Sequence, residues 1–339
     1  MKNKLKGGLT LNAVEQAPQQ GTYLNTTDDG SVRSQQASIA FGPDGMAGAS
    51  VQASFSQLKE IKELGRGSFG VVKMVQVNDT LYALKELQLT TDTSTQKNIY
   101  KELHSYLDYS HPFIIQTHNL YAQPNNKIFV LLELAKYGSA KDLLGKLKMG
   151  YINEAGLGMI AIDTLRAMDY IHKKNIIHRD IKPDNLLMTE DGRCKLADFG
   201  VATSILAHDN NQAQQTFAGS ISYMAPERFK SESPYGPSSD VWSLGVTFVE
   251  LLTGKFPYAS FGDFFAAMQG IVQGPAPLLK SDKGYSNDCC ALVNAMLEKD
   301  VGSRLSAGQL LQMPFCKKFL AKENEIRPIF ARWIKDNQK

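Results

Sequence analysis

Two hydrophobic rhythms divide the chain. Val71-Val72-Lys73-Met74-Val75-Gln76-Val77 is rich in β-branched residues and predicts a strand, Asn78-Asp79-Thr80 a turn, and Leu81-Tyr82-Ala83-Leu84-Lys85 a second strand. Ile99, Leu103, Tyr106 and Leu107 then fall at helical spacing and predict a helix over 96–107. His111-Pro112-Phe113 breaks it, and two strands follow, the second being Ile128-Phe129-Val130-Leu131-Leu132. Glu133-Leu134-Ala135 leads into a bend at Gly138, a hinge between a β-rich part and a helical part. Beyond it Leu157, Ile160, Ala161, Thr164, Leu165, Met168 and Ile171 trace one face of a long helix. Residues 240–252 are apolar nearly all round, which predicts a buried central helix stopped by Gly254, with further helices to about Leu320. The fold class is α+β in two lobes.

Residues 1–56 break both rhythms. They are rich in Gln, Ser, Thr, Asn, Gly and Ala and read as a mostly disordered tail. Two pieces stand out: Lys2, Lys4 and Lys6 ahead of Leu9 and Leu11, and Ser38-Ile39-Ala40-Phe41, a short strand ended by Pro43-Asp44-Gly45.

Composition narrows the class. The chain has 339 residues, 43% hydrophobic and 21% charged, as in soluble globular proteins. A net charge of +3 argues against nucleic acid as the main partner. Cys194, Cys289, Cys290 and Cys316 show no zinc spacing and fit reduced thiols of a cytoplasmic protein. No apolar run reaches the length of a membrane span, the N-terminus lacks the apolar core of a secretory signal, and Lys2 stands where N-myristoylation needs glycine. No membrane partner is expected.

The candidate chemistry centres on the stretch from His178 to Gly200. Asp180 stands beside Arg179, Lys182 lies two residues on, Asn185 five residues on, and Asp198-Phe199-Gly200 ends the stretch. Between them Asn185-Leu186-Leu187-Met188, Asp191-Gly192 and Cys194-Lys195-Leu196 predict a hairpin that brings Asn185 and Asp198 together. Two oxygen ligands there suit Mg2+, which keeps waters and substrate phosphates as its other ligands. Asp180 is left to receive the proton of a substrate hydroxyl. A plain solvated loop would not produce this ordered set. Upstream, Leu64-Gly65-Arg66-Gly67-Ser68-Phe69-Gly70 carries G-x-G-x-x-G, a weak signal alone. Strand residues come next, rather than a helix or Lys-Ser/Thr, so neither a dinucleotide fold nor a P-loop is expected. The glycines sit at a hairpin tip where backbone amides approach phosphates, with Lys85 on the strand after it. Glu102 on the 96–107 helix is either an ordinary surface acid or the partner that holds Lys85 towards a phosphate.

In this order the motifs resemble a eukaryotic protein kinase over roughly residues 57–318. The resemblance implies a β-rich small lobe over 57–135 and a helical large lobe over 136–318. It implies ATP and Mg2+ as cofactors, with Asp180, Lys182, Lys85 and Glu102 as catalytic residues and Asn185 and Asp198 as metal ligands. ATP would meet Leu64, Gly65, Arg66, Gly67, Ser68, Phe69, Gly70, Val72, Ala83, Lys85, Leu132, Glu133, Ala135 and Leu187. The same resemblance implies that Ala225-Pro226-Glu227 closes the activation segment and that Arg304 could pair with Glu227.

Within the kinases the chain is most similar to the MAP kinase kinases. The similarity is carried by Lys101-Glu102-Leu103, His111-Pro112-Phe113-Ile114-Ile115 and Thr216 to Arg228, and by both termini. It implies dual-specificity phosphorylation of Thr and Tyr in a downstream MAP kinase. Lys2, Lys4, Lys6, Leu9 and Leu11 would dock that substrate. Residues 319–339 would dock an upstream MAP kinase kinase kinase through Ile326, Ile329, Phe330, Trp333 and Ile334 or else pack on the large lobe, Pro328 requiring that helix to start close by. Thr216 is the expected activating phosphosite, with Arg179 as its partner. Gln212, four residues earlier, and Asn210 stand where the family usually has a second hydroxyl. Ser220 reads as a structural hydroxyl, and Thr203, Ser204 and Ser222 are weaker candidates. The proline-rich insert of some animal members is missing. The competing readings are a kinase of the MAP kinase kinase kinase group or one acting above it, and a pseudokinase or scaffold. A pseudokinase typically lacks a metal or phosphate ligand, and all are present here.

Overall fold

The structure is a computed structural model that describes residues 31–32, 51, 53–67, 70–88, 110–123, 127–198, 223–229, 236–259 and 264–338. The docking cluster at Lys2–Leu11, the Ser38–Phe41 strand, Ser68, Phe69, the 96–107 helix with Glu102, Phe199, Gly200 and residues 201–222 with Thr216 lie outside the described residues.

The described residues of the first lobe build one antiparallel sheet. Its strands are β1 (Ser31–Val32), β2 (Lys59–Gly67), β3 (Gly70–Val77), β4 (Thr80–Gln88), β5 (Thr117–Gln123) and β6 (Lys127–Glu133), ordered β1-β5-β6-β4-β3-β2. The β3–β4 hairpin turns at Asn78, whose left-handed φ of 52° suits an asparagine. β2 has exposed charged residues on an edge strand, which discourages pairing with another chain. Val75, Leu84, Tyr121 and Leu131 form the buried side of the sheet, and Val51, Phe55 and Leu58 pack against it. The Tyr121 hydroxyl donates to the Ala53 carbonyl at 3.0 Å, and Asn119 donates to that of Val51 at 3.3 Å. Packing against the sheet therefore includes Val51 and Ala53, a few residues upstream of the expected boundary.

The second lobe is helical. It contains α1 (Ala140–Lys146), α2 (Glu154–Lys173), the hairpin β7 (Leu186–Met188) and β8 (Cys194–Leu196), α3 (Ser238–Thr253), α4 (Phe264–Gln273), α5 (Asn287–Met296), α6 (Ala307–Leu310), α7 (Pro314–Ala321) and α8 (Glu323–Asp336). Local sequence sets the helix ends. Ser139, Asn153, Ser286 and Ser306 cap α1, α2, α5 and α6 by accepting amides of the first turn. Gly254 ends α3 at φ 69°, a left-handed turn that glycine adopts without strain. α3 is the buried axis of the lobe, with Trp242, Leu244, Val246, Phe248 and Leu251 fully enclosed. Arg304 pairs with Glu227 at 2.6 and 3.1 Å, lies over the Trp242 ring and is itself buried. This paired, hydrogen-bonded geometry is what lets a charge sit in the core.

The C-terminal segment is an α8 that packs inward. Phe330 and Ile334 are buried, Ile326 and Trp333 pack against the core, and Ile329 is exposed. Of the two expectations for this apolar set, docking a partner or packing on the large lobe, most of its side chains follow the second. α8 also starts at Glu323, well before Pro328, so the proline lies inside the helix instead of near its start. An inward apolar face stabilises the helix enough to tolerate the missing amide.

Candidate active site

Three registers bring the N-terminal part of the site together. Val72 lies opposite Lys85, Lys85 opposite Val130, and Ala83 opposite Leu132. Directly opposed residues share a face, and alternate residues of β4 do too. Val72, Ala83, Lys85 and Leu132 therefore occupy one side of the sheet. Lys85 donates to Asp198 Oδ1 at 2.6 Å, spanning the two lobes. Leu64 and Arg66 are exposed on β2, where Arg66 pairs with Glu63 at 2.9 Å. The Glu133 carboxylate is taken by Lys195 at 2.5 and 2.7 Å and by the Gln116 amide at 3.2 Å. Ala135 accepts the Gly138 amide at 3.3 Å, and Leu187 sits in β7 beside Ser139.

The loop from His178 to Asn185 is held from beneath. Asp240, in the first turn of α3, accepts the amides of His178 at 2.7 Å and Arg179 at 2.8 Å and contacts His172 Nε2 at 2.9 Å. The positive end of the helix dipole favours an acid there. His178 is fully buried, and desolvation lowers its pKa, so the ring is neutral. Its Nε2 faces the Ala197 carbonyl at 2.8 Å and must carry the proton; Nδ1 is then the acceptor for the Asp180 amide at 3.3 Å. One imidazole thus ties the residue before Asp198 to the backbone of Asp180. Arg179 and Asp198 have positive φ, 72° and 61°, a strain of about 1–3 kcal/mol each that the surroundings must hold. Arg228 does part of this by donating to the Arg179 carbonyl at 2.9 Å.

On this base sits the polar cluster. Lys182 donates to both oxygens of Asp180 at 3.0 and 2.8 Å. Asn185 donates to the Asp180 carbonyl at 2.7 Å and to Oδ2 at 3.0 Å. Burial pushes the Asp180 carboxyl up, but the Lys182 ammonium and these hydrogen bonds outweigh it and hold the group below the usual carboxylate range. With both amide protons spent, Asn185 has its side-chain oxygen left as a ligand atom. The hairpin returns as expected: Leu186 opposes Leu196, and Ala197 donates to the Asn185 carbonyl at 2.9 Å. Asn185 and Asp198 are thereby neighbours at its open end. Among the described residues no cluster of three or more His, Cys, Asp or Glu could hold a metal unaided.

The model of the protein kinase domain matches residues 58–316. Mitogen-activated protein kinase kinase 1 of Arabidopsis thaliana is 35% identical over 289 residues, 83% of this chain and 80% of that protein. Dual specificity mitogen-activated protein kinase kinase 7 of Homo sapiens is 33% identical over 300 residues, 86% of this chain and 69% of that protein. The chain belongs to the MAP kinase kinase family of protein kinases.

For this kinase the sequence motifs named the groups at the surface of the site and missed those beneath it. Asp240 was legible only as a helix start, although an acid opening an otherwise apolar helix is itself a signal of a buried partner. Arg228 stands next to a recognised motif but carried no sign of reaching Arg179. The expected Lys85–Glu102 pair lies outside the described residues, and Lys85 is paired with Asp198. Among the described residues no helix is long and apolar enough to cross a membrane.

Proposed function

We propose that this kinase transfers the γ-phosphate of ATP to Thr and Tyr in the activation loop of a downstream MAP kinase, in the cytoplasm. The observation that carries the chemistry is the Asp180–Lys182–Asn185 cluster next to the Lys85–Asp198 pair. An ionised Asp180 at hydrogen-bonding distance from Lys182 can accept the proton of a substrate hydroxyl as its oxygen attacks phosphorus and the bond to ADP breaks. Lys182 balances the charge at Asp180. Lys85 would leave Asp198 for the α- and β-phosphates, and Glu102 would then hold it. The backbone from Gly65 to Gly70 would cover the phosphates, while Val72, Ala83, Leu132 and Leu187 enclose the base.

The donor set fits magnesium: one carboxylate at Asp198 and one amide oxygen at Asn185, too few to hold a cation without phosphate oxygens. Bound magnesium would neutralise charge on the β- and γ-phosphates. Activation would come from an upstream MAP kinase kinase kinase through Thr216. Phosphate there adds about −1.5 to −2 charge, and Arg179 can pair with it, tying the segment to the neighbour of Asp180. Lys2, Lys4, Lys6, Leu9 and Leu11 would dock the substrate as an extended peptide.

The test is transfer by activated protein to a panel of MAP kinases, with phosphosites mapped. Paired Thr and Tyr phosphorylation of an activation loop is expected, together with loss of activation in Thr216→Ala. Phosphate only on Ser or Thr of another kinase contradicts the substrate reading, and absence of any transfer contradicts the chemistry.

A further inference from the structure

The β7–β8 hairpin is held from behind by a charge cluster that the catalytic reading does not use. Asp163, fully buried on α2, accepts the Cys194 amide of β8 at 2.9 Å. Arg327 of α8 meets the same carboxylate through two nitrogens, at 2.8 and 2.7 Å. Arg327 also donates to the carbonyl of Gly192, in the hairpin turn, at 2.8 Å and to Glu323 at 2.6 Å. Glu323 in turn accepts Arg166 of α2 at 3.0 Å. Two acids and two arginines balance.

A second observation is steric. Gly192 has φ 76°, and a Cβ there would lie 2.9 Å from the Ala331 amide and from the Arg327 carbonyl. The turn presses on the backbone of α8 so closely that only glycine fits. Bonds then run forward to the site. Cys194 is anchored by Asp163, Leu196 donates to the Phe113 carbonyl at 2.9 Å, and Ala197 donates to the Asn185 carbonyl at 2.9 Å.

We propose that Arg327 is a positioning residue for phosphoryl transfer, acting through Asp163 and the Gly192 carbonyl to fix the hairpin whose open end carries Asn185 and Asp198. The proposal rests on the reading of those two residues as metal ligands. Its consequence is that α8, remote in sequence, sets the spacing of the two ligands. A guanidinium is suited to this because it serves the carboxylate and the carbonyl at once, which a single ammonium cannot do with the same geometry.

The test uses the full chain as wild type, Arg327→Met, Arg327→Lys, Asp163→Asn/Arg327→Met and Asp198→Asn. Three quantities are read: Mn2+ affinity by electron paramagnetic resonance in the presence of a non-hydrolysable ATP analogue, kcat against KM for ATP, and the thermal midpoint. Arg327→Met is expected to weaken Mn2+ binding about tenfold, as loss of an outer partner does at other metal sites, and to lower kcat more than it raises KM. Arg327→Lys should recover part of the affinity. Arg327→Met also leaves a buried carboxylate unpaired and loses stability; the double variant removes that charge, so its midpoint should recover while Mn2+ binding stays weak. Wild-type Mn2+ affinity in the double variant, with weak binding in Asp198→Asn, overturns the positioning role alone. Wild-type affinity in Asp198→Asn overturns the metal reading, and this proposal with it.

Discussion

Two lysine–carboxylate pairs meet at the site, and they are built differently. Lys182 and Asp180 are two residues apart, mostly buried, and rest on a loop whose backbone is bonded to Asp240 and His178. Lys85 and Asp198 are 113 residues apart, lie on different lobes, and leave the Asp198 side chain 41% exposed. The first pair is part of a rigid floor. The second is a bridge between units, open on one side to solvent and to any phosphate that displaces it. A catalytic group has to be in place before substrate arrives, whereas a phosphate-binding lysine has to be able to change partner.

The largest effect that sharpens this contrast is on the bridge. Lys85→Met should lower phosphoryl transfer by at least about 10²–10³-fold, as loss of a charge-stabilising donor does. Stability should change by no more than about 1 kcal/mol, because a pair with an exposed partner contributes little. Parallel kinetics and thermal unfolding check this; a large loss of stability would make the bridge part of the floor.

The next effect is on the floor. Asp240→Asn keeps the shape, but His178 donates to Oδ2 and Arg179 to Oδ1, so one of these acceptors becomes an amide donor; one charge-assisted bond is lost and the other weakened. It should cost about 1.5–3 kcal/mol in chemical denaturation and lower kcat, with KM for ATP little changed. A variant that loses ATP affinity instead would show that Asp240 serves the bridge.

Lys182→Met tests the floor by pH. Lys182 helps hold Asp180 below the ordinary carboxylate range, so its removal raises that pKa. On the proposed mechanism Asp180 has to be ionised to accept the hydroxyl proton, so the acid limb of the kcat profile should move to higher pH in this variant. A bell that stays in place would separate Lys182 from the ionisation of Asp180.

A smaller effect belongs to His178. Its folded pKa lies below the ordinary value because burial disfavours the cation. As pH falls through about 6.5 the unfolded chain takes up a proton that the folded loop refuses, so stability declines. His111 adds to the same decline, since burial and the charge of Arg166 lower its pKa to about 4. Thermal midpoints measured from about pH 7.5 down to about pH 5.5 should fall with acid, and less steeply in His111→Gln.

Legibility in the sequence divided along the same line. Short-range patterns carried the hairpin, α2, α3 and the Gly254 stop, because each depends on neighbours a few positions apart. The Glu227–Arg304 pair was legible because kinase motifs fix both partners. Asp163 and Arg327 were not, since a charge on a helix reads as solvent-facing until its partner, 164 residues away, is known. For α8 the period was clear but the direction was not. Helical spacing of Ile326, Phe330 and Ile334 is the same whether the face meets a partner or the chain's own large lobe. The buried Phe330 decides it, and Phe330→Ala should cost about 3–5 kcal/mol of stability.

The anchoring of the catalytic loop by α3 is tested most directly by native-state hydrogen exchange at the amides of His178 and Arg179. Both donate to Asp240. They should exchange slowly in the nucleotide-free protein, keep the same protection when a non-hydrolysable ATP analogue and Mg2+ are added, and lose it in Asp240→Asn. Amides that exchange freely until the nucleotide binds would contradict a loop assembled in advance.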